Sequence, residues 1–262
     1  MIGAIIGDFC GSIYERRSVR WDRKTPLGAG PCRLTDDSIL TFATAEAILN
    51  GDVQPEAFAR AYMRWARDYP GRGYGHGFST WVEAGQLTKN GSFGNGSAMR
   101  ASPIGWAAGQ LDQALDLARA SADYTHGHPE GVKGAQAIAG SVFLLRSGMT
   151  NDELKSWLHS SFGYDLSRSV RQIAASGYRF DSTCQGSVPE AITCFLEAGS
   201  FEDAIKKAFL LNGDVDTQAD MAGALAQVRF GVPFGLRTMA ERAMDARMRS
   251  ILSAFESRFV KA

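Results

Sequence analysis

The sequence predicts an all-α protein folded as one domain. Apolar residues recur at helical spacing through most of the chain, whereas Val, Ile and Thr nowhere form alternating runs bounded by hairpin turns. With 262 residues, 45% of them hydrophobic, the chain can bury a substantial core. Since no Pro-, Ser- or charge-rich linker and no internal repeat divides it, we expect a single domain over residues 1–262.

Taken in order, the chain begins with an apolar run, Ile2 to Ile6, which ends at Asp8. We interpret the surrounding glycine-rich stretch, Gly3–Gly11, as a connection between elements. A helix is predicted from Ser38 to Leu49, because Asn50-Gly51 is a typical helix end. Further helices are predicted over Pro55–Tyr69, Phe78–Leu87, Ala98–Gly109, Asp112–Tyr124, Pro129–Leu145, Asn151–Ser161, Val188–Glu197, Glu202–Leu211, Thr217–Phe230 and Gly235–Val260, the last either continuous or broken.

Composition narrows the classes of function. Lys plus Arg and Asp plus Glu both number 28, so no excess of positive charge indicates binding to nucleic acid or to an acidic membrane surface. The four cysteines form no CxxC pair, which is typical of reduced thiols in the cytosol. No segment approaches the roughly 20 apolar residues of a membrane span. We therefore expect a cytoplasmic protein with a small-molecule or protein-borne substrate.

Two adjacent carboxylates, Asp36 and Asp37, stand between Thr35 and the start of a predicted helix. Neighbouring helical residues point about 100° apart, so the pair can converge on one point only from a helix N-terminus or a loop. One interpretation is helix capping, which contributes about 0.5–2 kcal/mol.

A second helix N-terminus carries the same residue types. Asp214, Asp216 and Thr217 follow the end of one predicted helix and begin the next. Together the two N-termini offer six hard oxygen ligands, which suit Mg²⁺, Mn²⁺ or Ca²⁺ rather than zinc. If they meet, four carboxylates could hold two divalent ions roughly 3.5–4 Å apart. Ordinary capping of both helices remains the alternative.

Two further acids lie near the beginning of the chain. Glu15 closes the small-residue segment that starts at Gly7, and a single glutamate is most often a solvated surface residue. Asp8 lies inside the glycine-rich stretch, where its own chemistry favours a turn or a cap.

With these residues assembled, the sequence resembles the ADP-ribosylglycohydrolase family, which includes the dinitrogen-reductase-activating glycohydrolase and the ADP-ribosylhydrolases. The resemblance covers nearly the full length, and its motifs occur in the family's order. They are GAIIGDFCGSIYE, LTDDS, GSFGNGSAMR, THGHPEGVKGAQA, CQGSVPEAITCFL and GDVDTQADMAGAL.

The resemblance implies a compact, single-domain orthogonal multi-helix bundle with a binuclear Mg²⁺ or Mn²⁺ centre at the base of an ADP-ribose cleft. Carried over by motif, the implied metal ligands are Thr35, Asp36, Asp37, Asp214, Asp216 and Thr217. Glu15 matches the acidic residue that ends the first motif, which the family implies either coordinates metal or acts as acid/base. We take Glu15 as the candidate acid/base, with Asp36 or Asp37 as the next candidates for catalysis.

The resemblance also implies a substrate-binding loop. By itself the glycine-rich segment could be a tight turn, but the family places its diphosphate and ribose cradle there. The implied residues are Gly91, Ser92, Phe93, Gly94, Asn95, Gly96 and Ser97. His126 matches a histidine beside the diphosphate, although a lone histidine is more often structural. Tyr74–Phe78 and Trp81 resemble the segment before the cradle, where packing is the simpler interpretation.

One motif departs from the family pattern. Gln218 and Asp220 replace the small or aliphatic residues that usually follow the last metal ligand. Asp220 shares a helix face with Thr217, so it either accepts hydrogen bonds behind the site or faces solvent.

We therefore expect a metal-dependent ADP-ribosylhydrolase, holding two Mg²⁺ or Mn²⁺ ions, that releases ADP-ribose from a modified acceptor. A protein side chain is the favoured acceptor; a small ADP-ribose ester and ADP-ribosylated nucleic acid are alternatives, and no membrane partner is expected. Other classes are a non-catalytic ADP-ribose-binding module and a helical interaction domain without metal.

Overall fold

The computed structural model describes residues 1–15 and 21–260, and these residues form an all-α fold, as predicted. They contain no β-sheet, only two isolated antiparallel bridges, Gly91 with His126 and Gly94 with Thr183. The helices are α1 (Ile2–Gly11), α2 (Asp36–Leu49), α3 (Pro55–Asp68), α4 (His76–Ala84), α5 (Gly96–Met99), α6 (Ser102–Ala107), α7 (Leu111–Ala122), α8 (Pro129–Arg146), α9 (Asn151–Phe162), α10 (Val170–Ala175), α11 (Cys184–Leu196), α12 (Phe201–Leu211), α13 (Val215–Phe230), α14 (Phe234–Ala243) and α15 (Ala246–Phe259).

The interpretation of Gly3–Gly11 as a connection was wrong, because this segment is helix α1, buried along its whole length. Its glycines recur every four residues and form one face, which packs directly on the backbone of α13. A Cβ atom on Gly7 would lie 2.0 Å from the carbonyl oxygen of Ala219, and one on Gly3 would lie 2.3 Å from that of Gly223. The glycines therefore allow two buried helices to approach closely.

Other boundaries also differ from the predictions. The predicted helix Ala98–Gly109 is two short helices, α5 and α6, with Pro103 in the first turn of the second. The segment Gly235–Val260 is broken between α14 and α15. Helix α11 begins at Cys184, four residues before the predicted start, and Pro189 lies inside it. The six-residue helix α10 was not predicted.

Helix α13 lies at the centre of the packing, with all residues from Val215 to Gln227 buried. Such a helix is enclosed on every side. Helix α1 crosses it and α2 packs on α1, which brings the N-termini of α2 and α13 toward one end of the core. Within the ranges described above, no helix has the length and apolar character needed to cross a membrane.

Candidate active site

The N-termini of α2 and α13 open into the same cavity, which has a volume of about 570 Å³. Its walls include Asp36 and Asp37 from α2 and Asp214, Asp216 and Thr217 from the start of α13. Single carboxylate oxygens of Asp8, Asp37 and Asp216 all lie within 4.8 Å of one another. The structure thus brings together the two acidic segments that are separated by more than 170 positions in the sequence.

Helix capping accounts for only part of this arrangement. Thr35 is the N-cap of α2, and its hydroxyl oxygen accepts a hydrogen bond from the Asp37 N–H at 3.4 Å. Asp214 stands at the N-cap of α13 but makes no capping hydrogen bond with its side chain. Its carboxylate instead accepts a hydrogen bond from the Asn95 side-chain amide at 2.7 Å. The capping alternative therefore fits Thr35 but leaves Asp214 and Asp216 without a capping role.

Asp8 is a site residue that the sequence interpretation missed. It projects from α1, is fully buried, and accepts hydrogen bonds from Thr35 N–H at 3.0 Å, Thr35 Oγ1 at 2.6 Å and Ser38 N–H at 3.2 Å. The Ser38 hydroxyl makes a further, shorter bond to the same carboxylate. These contacts tie the N-terminus of α2 to α1. The four-residue spacing of the glycines around Asp8 was the signal that could have placed it on a helix.

The buried carboxyls resist ionisation. Burial, followed by the charge of neighbouring acids, raises the pKa of Asp36 to about 8 and holds that of Asp37 and Asp216 well above the ordinary value. Burial also raises the pKa of Asp8 and Asp214 to about 6, against opposing hydrogen bonds. Five acids this close need either protons or cations to offset their repulsion.

The donor set fits divalent cations. One oxygen each of Asp37 and Asp216 is buried without a hydrogen-bond partner among the described residues. Within this part of the chain, no Lys or Arg forms an ion pair with Asp36, Asp37, Asp214 or Asp216. Carboxylate and hydroxyl oxygens are the ligands that Mg²⁺ and Mn²⁺ prefer.

Glu15 lies at the rim of the same cavity. Its side chain is 28% exposed and pairs with Arg33 at an Oε2–Nη2 distance of 3.3 Å. Its Oε1 and the Oδ1 of Asp36 both approach the backbone at Gly73, where a Cβ atom would lie 3.5 and 3.1 Å from them. Glu15 is therefore close to the acidic cluster and partly exposed to solvent.

The predicted substrate-binding loop lines the same cavity, with Asn95 in contact with Asp214, but two of the loop residues do not line it. Gly91, Ser92, Gly94, Asn95 and Gly96 face the cavity. The ring of Phe93 turns outward, 45% exposed, and packs edge-on against His128 at 5.4 Å. The buried Ser97 hydroxyl donates to the Gly131 carbonyl at 2.7 Å. Neither residue is among those that line the cavity.

His126 lies beside this loop and lines the cavity, as its motif implied. It is buried, and its Nδ1 is 2.9 Å from the Thr125 hydroxyl. Burial, with a smaller contribution from the charge of Arg100, holds the pKa of His126 well below its ordinary value. The imidazole is therefore neutral at physiological pH.

The structure also shows where the other residues discussed with the motifs lie. Phe78 and Trp81 line the cavity and pack against each other, with ring centroids 5.7 Å apart. Asp220 does not face solvent: it is buried, and neither oxygen has a hydrogen-bond partner among the described residues. Gln218 is also buried and donates to the Tyr178 hydroxyl at 2.8 Å. Gln218 and Asp220 are thus buried and are not among the residues that line the cavity.

Comparisons with known proteins agree with this geometry. ADP-ribosylhydrolase ARH3 of Mus musculus is 28% identical, with 88% of this chain and 83% of the mouse protein aligned, and ARH3 of Homo sapiens is also 28% identical, over 88% and 84%. An uncharacterised protein of Archaeoglobus fulgidus is 27% identical over 89% and 87%.

A solved structure shares the fold. It is described as an ADP-ribosylglycohydrolase-related protein complex and superimposes with a TM-score of 0.69 at 24% identity, over 98% of this chain and 96% of the other. The sequence model named ADP-ribosylglycohydrolase matches residues 1–249. Because that match spans nearly the whole sequence, the chain belongs to the ADP-ribosylglycohydrolase family.

Proposed function

We propose that the protein is a divalent-metal-dependent ADP-ribosylhydrolase that cleaves the bond between the distal ribose of ADP-ribose and a modified acceptor, a protein side chain. The observation that carries this proposal is the meeting of the α2 and α13 N-termini, which places their acids in one cavity with the glycine loop. Membership of the family and the relatives named ADP-ribosylhydrolase support the same reaction class.

Thr35, Asp36, Asp37, Asp214, Asp216 and Thr217 would hold two Mg²⁺ or Mn²⁺ ions. Bound there, divalent ions would supply Lewis-acid chemistry and lower the pKa of a bound water. Asp8 supports this ligand set through the hydrogen bonds that it accepts from Thr35. Since the Thr35 hydroxyl donates its proton to Asp8 at 2.6 Å and accepts one hydrogen bond from the Asp37 N–H, one lone pair of the Thr35 oxygen remains for a cation.

The acidic residues and the glycine loop would bind different parts of the ligand. The acidic wall suits the hydroxyl-bearing distal ribose, whereas the backbone of Gly91–Gly96 and the neutral His126 suit the anionic diphosphate. This assignment keeps the diphosphate away from the carboxylates, which would repel it. It also places the anomeric carbon of the distal ribose at the end of the cavity that contains Glu15.

Glu15 is the proposed acid/base. Cleavage of a glycosidic bond passes through an oxocarbenium-like transition state, which a nearby carboxylate stabilises while it transfers protons. Glu15 is partly exposed, as Asp36 also is, and its ion pair with Arg33 holds it beside the cavity. An acceptor that enters from solvent would meet Glu15 first. Asp36 and Asp37, deeper in the cavity, are the next candidates.

The test is the release of ADP-ribose from chemically defined substrates modified on arginine, on serine, on a nucleic-acid base or through an acyl ester. We expect turnover on at least one substrate in Mg²⁺ and none in excess EDTA. Glu15→Gln should lose turnover while it keeps its affinity for ADP-ribose and for metal. Full activity in EDTA, or in Asp216→Ala, would overturn the metal requirement. Tight binding without turnover on any substrate would instead indicate a binding module.

A further inference from the structure

The buried guanidinium of Arg100, which directly follows α5, contacts the residue next to His126. Its Nη2 donates to the Thr125 hydroxyl oxygen at 2.6 Å and to the Ser121 carbonyl at 3.1 Å. The guanidinium carbon also lies 3.7 Å from the centre of the Tyr62 ring. Arg100 has no solvent-exposed surface and lies in the wall of the cavity beside Thr125 and His126. Its hydrogen bond to Thr125 is a direct link to the residue that precedes His126.

The hydrogen-bond directions in this chain of contacts follow from the donor inventory. A guanidinium only donates, so the Thr125 oxygen accepts from Arg100. Thr125 is itself buried, and its hydroxyl proton therefore needs an acceptor. In the part of the chain that the structure describes, the acceptor within reach is Nδ1 of His126, at 2.9 Å. If the Thr125 hydroxyl donates to Nδ1, that nitrogen is unprotonated and the neutral ring carries its proton on Nε2.

The other ring nitrogen faces the glycine loop. Nε2 of His126 lies 3.0 Å from the position that a Cβ atom would take on Gly96, and 3.6 Å from that position on Gly94. Both glycines and His126 line the cavity. The Nε2–H therefore points to the wall at which the proposed function places the diphosphate. With the opposite tautomer, an Nε2 lone pair would face an anionic oxygen at the same place.

We propose that Arg100 and Thr125 are positioning residues that lock His126 in the Nε2–H tautomer, so that His126 donates a hydrogen bond to a diphosphate oxygen of the ligand. The identity of the ligand rests on the proposed function; the tautomer does not. The geometry assigns a purpose to a buried arginine that forms no ion pair with the acidic cluster among the described residues. It also explains why a hydroxyl residue precedes the histidine.

The direct test is nitrogen-15 NMR of the histidine side chains in the free, wild-type protein. His126 is identified among the four histidines by the loss of its signals in His126→Asn. We expect a deprotonated Nδ1 and a protonated Nε2 in wild type and in Thr125→Ser, which keeps the hydroxyl. Thr125→Val, which has the same shape without the hydroxyl, should show a mixture of tautomers or the Nδ1–H form.

Two results would overturn the proposal: an Nδ1–H tautomer in the wild-type protein, or an unchanged tautomer in a folded Thr125→Val variant. If Thr125→Val does not fold, the wild-type tautomer decides by itself. A purely structural role of Thr125 would change thermal stability without changing the tautomer of the folded form.

Calorimetric titration with ADP-ribose gives the functional consequence. We expect Thr125→Val to bind about tenfold more weakly or worse, since a hydrogen bond to a charged oxygen is lost, whereas Thr125→Ser should bind almost as wild type does. Equal affinities in all three proteins would contradict the donor role. A wild-type protein that fails to bind ADP-ribose would contradict the proposed function instead, while the tautomer measurement would stand.

Discussion

At the scale of single residues, the surroundings of Asp216 suit the binding of a cation better than they suit the stability of the metal-free fold. One of its oxygens is buried without a hydrogen-bond partner among the described residues, and Asp214 and Asp8 add to the cost of its charge. A carboxylate that only stabilised the fold would have a donor for each buried oxygen. Asp216 is therefore a residue that the metal-free fold tolerates rather than requires.

We predict that Asp216→Asn is at least as stable as wild type in EDTA at about pH 8, because it removes one of several crowded negative charges. A gain of the order of 1 kcal/mol is expected. Mg²⁺ should raise the melting temperature of the wild-type protein but not that of the variant. Thermal unfolding with and without Mg²⁺ measures both effects.

The matched control is Asp112→Asn, which changes an exposed aspartate in the first turn of α7. Its response to Mg²⁺ should equal that of wild type. A strong loss of stability of Asp216→Asn in EDTA would mean that the carboxylate is a structural group.

The raised pKa values also predict how stability depends on pH. Asp8 and Asp214 have pKa values of about 6 and Asp36 of about 8, against 3.8 in an unfolded chain. Above pH 4 the folded state thus keeps protons that the unfolded state has released. Stability in EDTA should fall as pH rises from about 4 to 8, by about 1.4 kcal/mol per pH unit for each extra proton held.

Urea unfolding at several pH values measures this slope. Mg²⁺ should make the decline shallower, because cations replace the protons. Stability in EDTA that rises over the same pH range would show that these carboxyls are ionised in the metal-free fold.

At the scale of whole elements, the contact between α1 and α13 fixes the distance between Asp8 and Asp216. Each helix presents small residues to the other, and a Cβ atom on Gly11 would lie 2.5 Å from the Cα of Asp216 itself. The glycine face is therefore part of the site's construction as well as of the core. A wider crossing would separate the carboxylates that cluster at this end of the core.

We predict that Gly7→Ala destabilises the protein by about 3 kcal/mol or more, because the new methyl group would overlap backbone atoms of α13. Chemical denaturation of the purified variant, or its failure to accumulate in folded form, is the measurement. A folded Gly7→Ala protein should also bind Mg²⁺ more weakly.

Gly235→Ala is the matched control. Gly235 is the second residue of α14, and a Cβ atom there would meet nothing within 4 Å. This change should be neutral or stabilising by up to about 1 kcal/mol, since alanine is the better helix former. Equal stability of the two variants would mean that α1 and α13 can separate without cost.

The sequence predicts a helix well when the residues that determine it lie close together in the chain, and poorly when they depend on a distant partner. Helix α2 is found because its N-cap, apolar spacing and end are all local. Helix α1 is missed because glycine at four-residue spacing is a signal of helix contact, and its meaning depends on a partner more than 200 positions away. The early start of α11 is missed because Pro189 normally marks a helix beginning, not an interior position.

At the scale of the whole molecule, the cavity combines segments that no local pattern connects. Motif resemblance indicates the acidic residues and the glycine loop, because they share recognisable spacings. It does not indicate that Phe93 and Ser97 turn away from the cavity, since a backbone cradle directs its own side chains elsewhere. Asp8 and Arg100 lie within two of these motifs, but the resemblance gave them no role, and their hydrogen bonds to Thr35 and Thr125 indicate one.

Because the acidic cluster and the glycine loop line one cavity, we predict that Mg²⁺ and ADP-ribose bind cooperatively. Without cations, the carboxylates oppose a doubly charged ligand; with cations, the same wall binds the distal ribose. We expect Mg²⁺ to increase the affinity for ADP-ribose by roughly 5- to 150-fold, and ADP-ribose to increase the affinity for Mg²⁺ by the same factor. Titration calorimetry in both orders measures the two factors.

ADP provides the decisive control, because it carries the diphosphate but no distal ribose. If the ions act at the carboxylate wall, Mg²⁺ should increase the affinity for ADP far less than that for ADP-ribose. Asp216→Asn should remove most of the cooperativity with ADP-ribose and leave the weak effect on ADP unchanged. An equal gain for both ligands, insensitive to Asp216→Asn, would place the cation on the diphosphate, and the acidic cluster would then need another explanation.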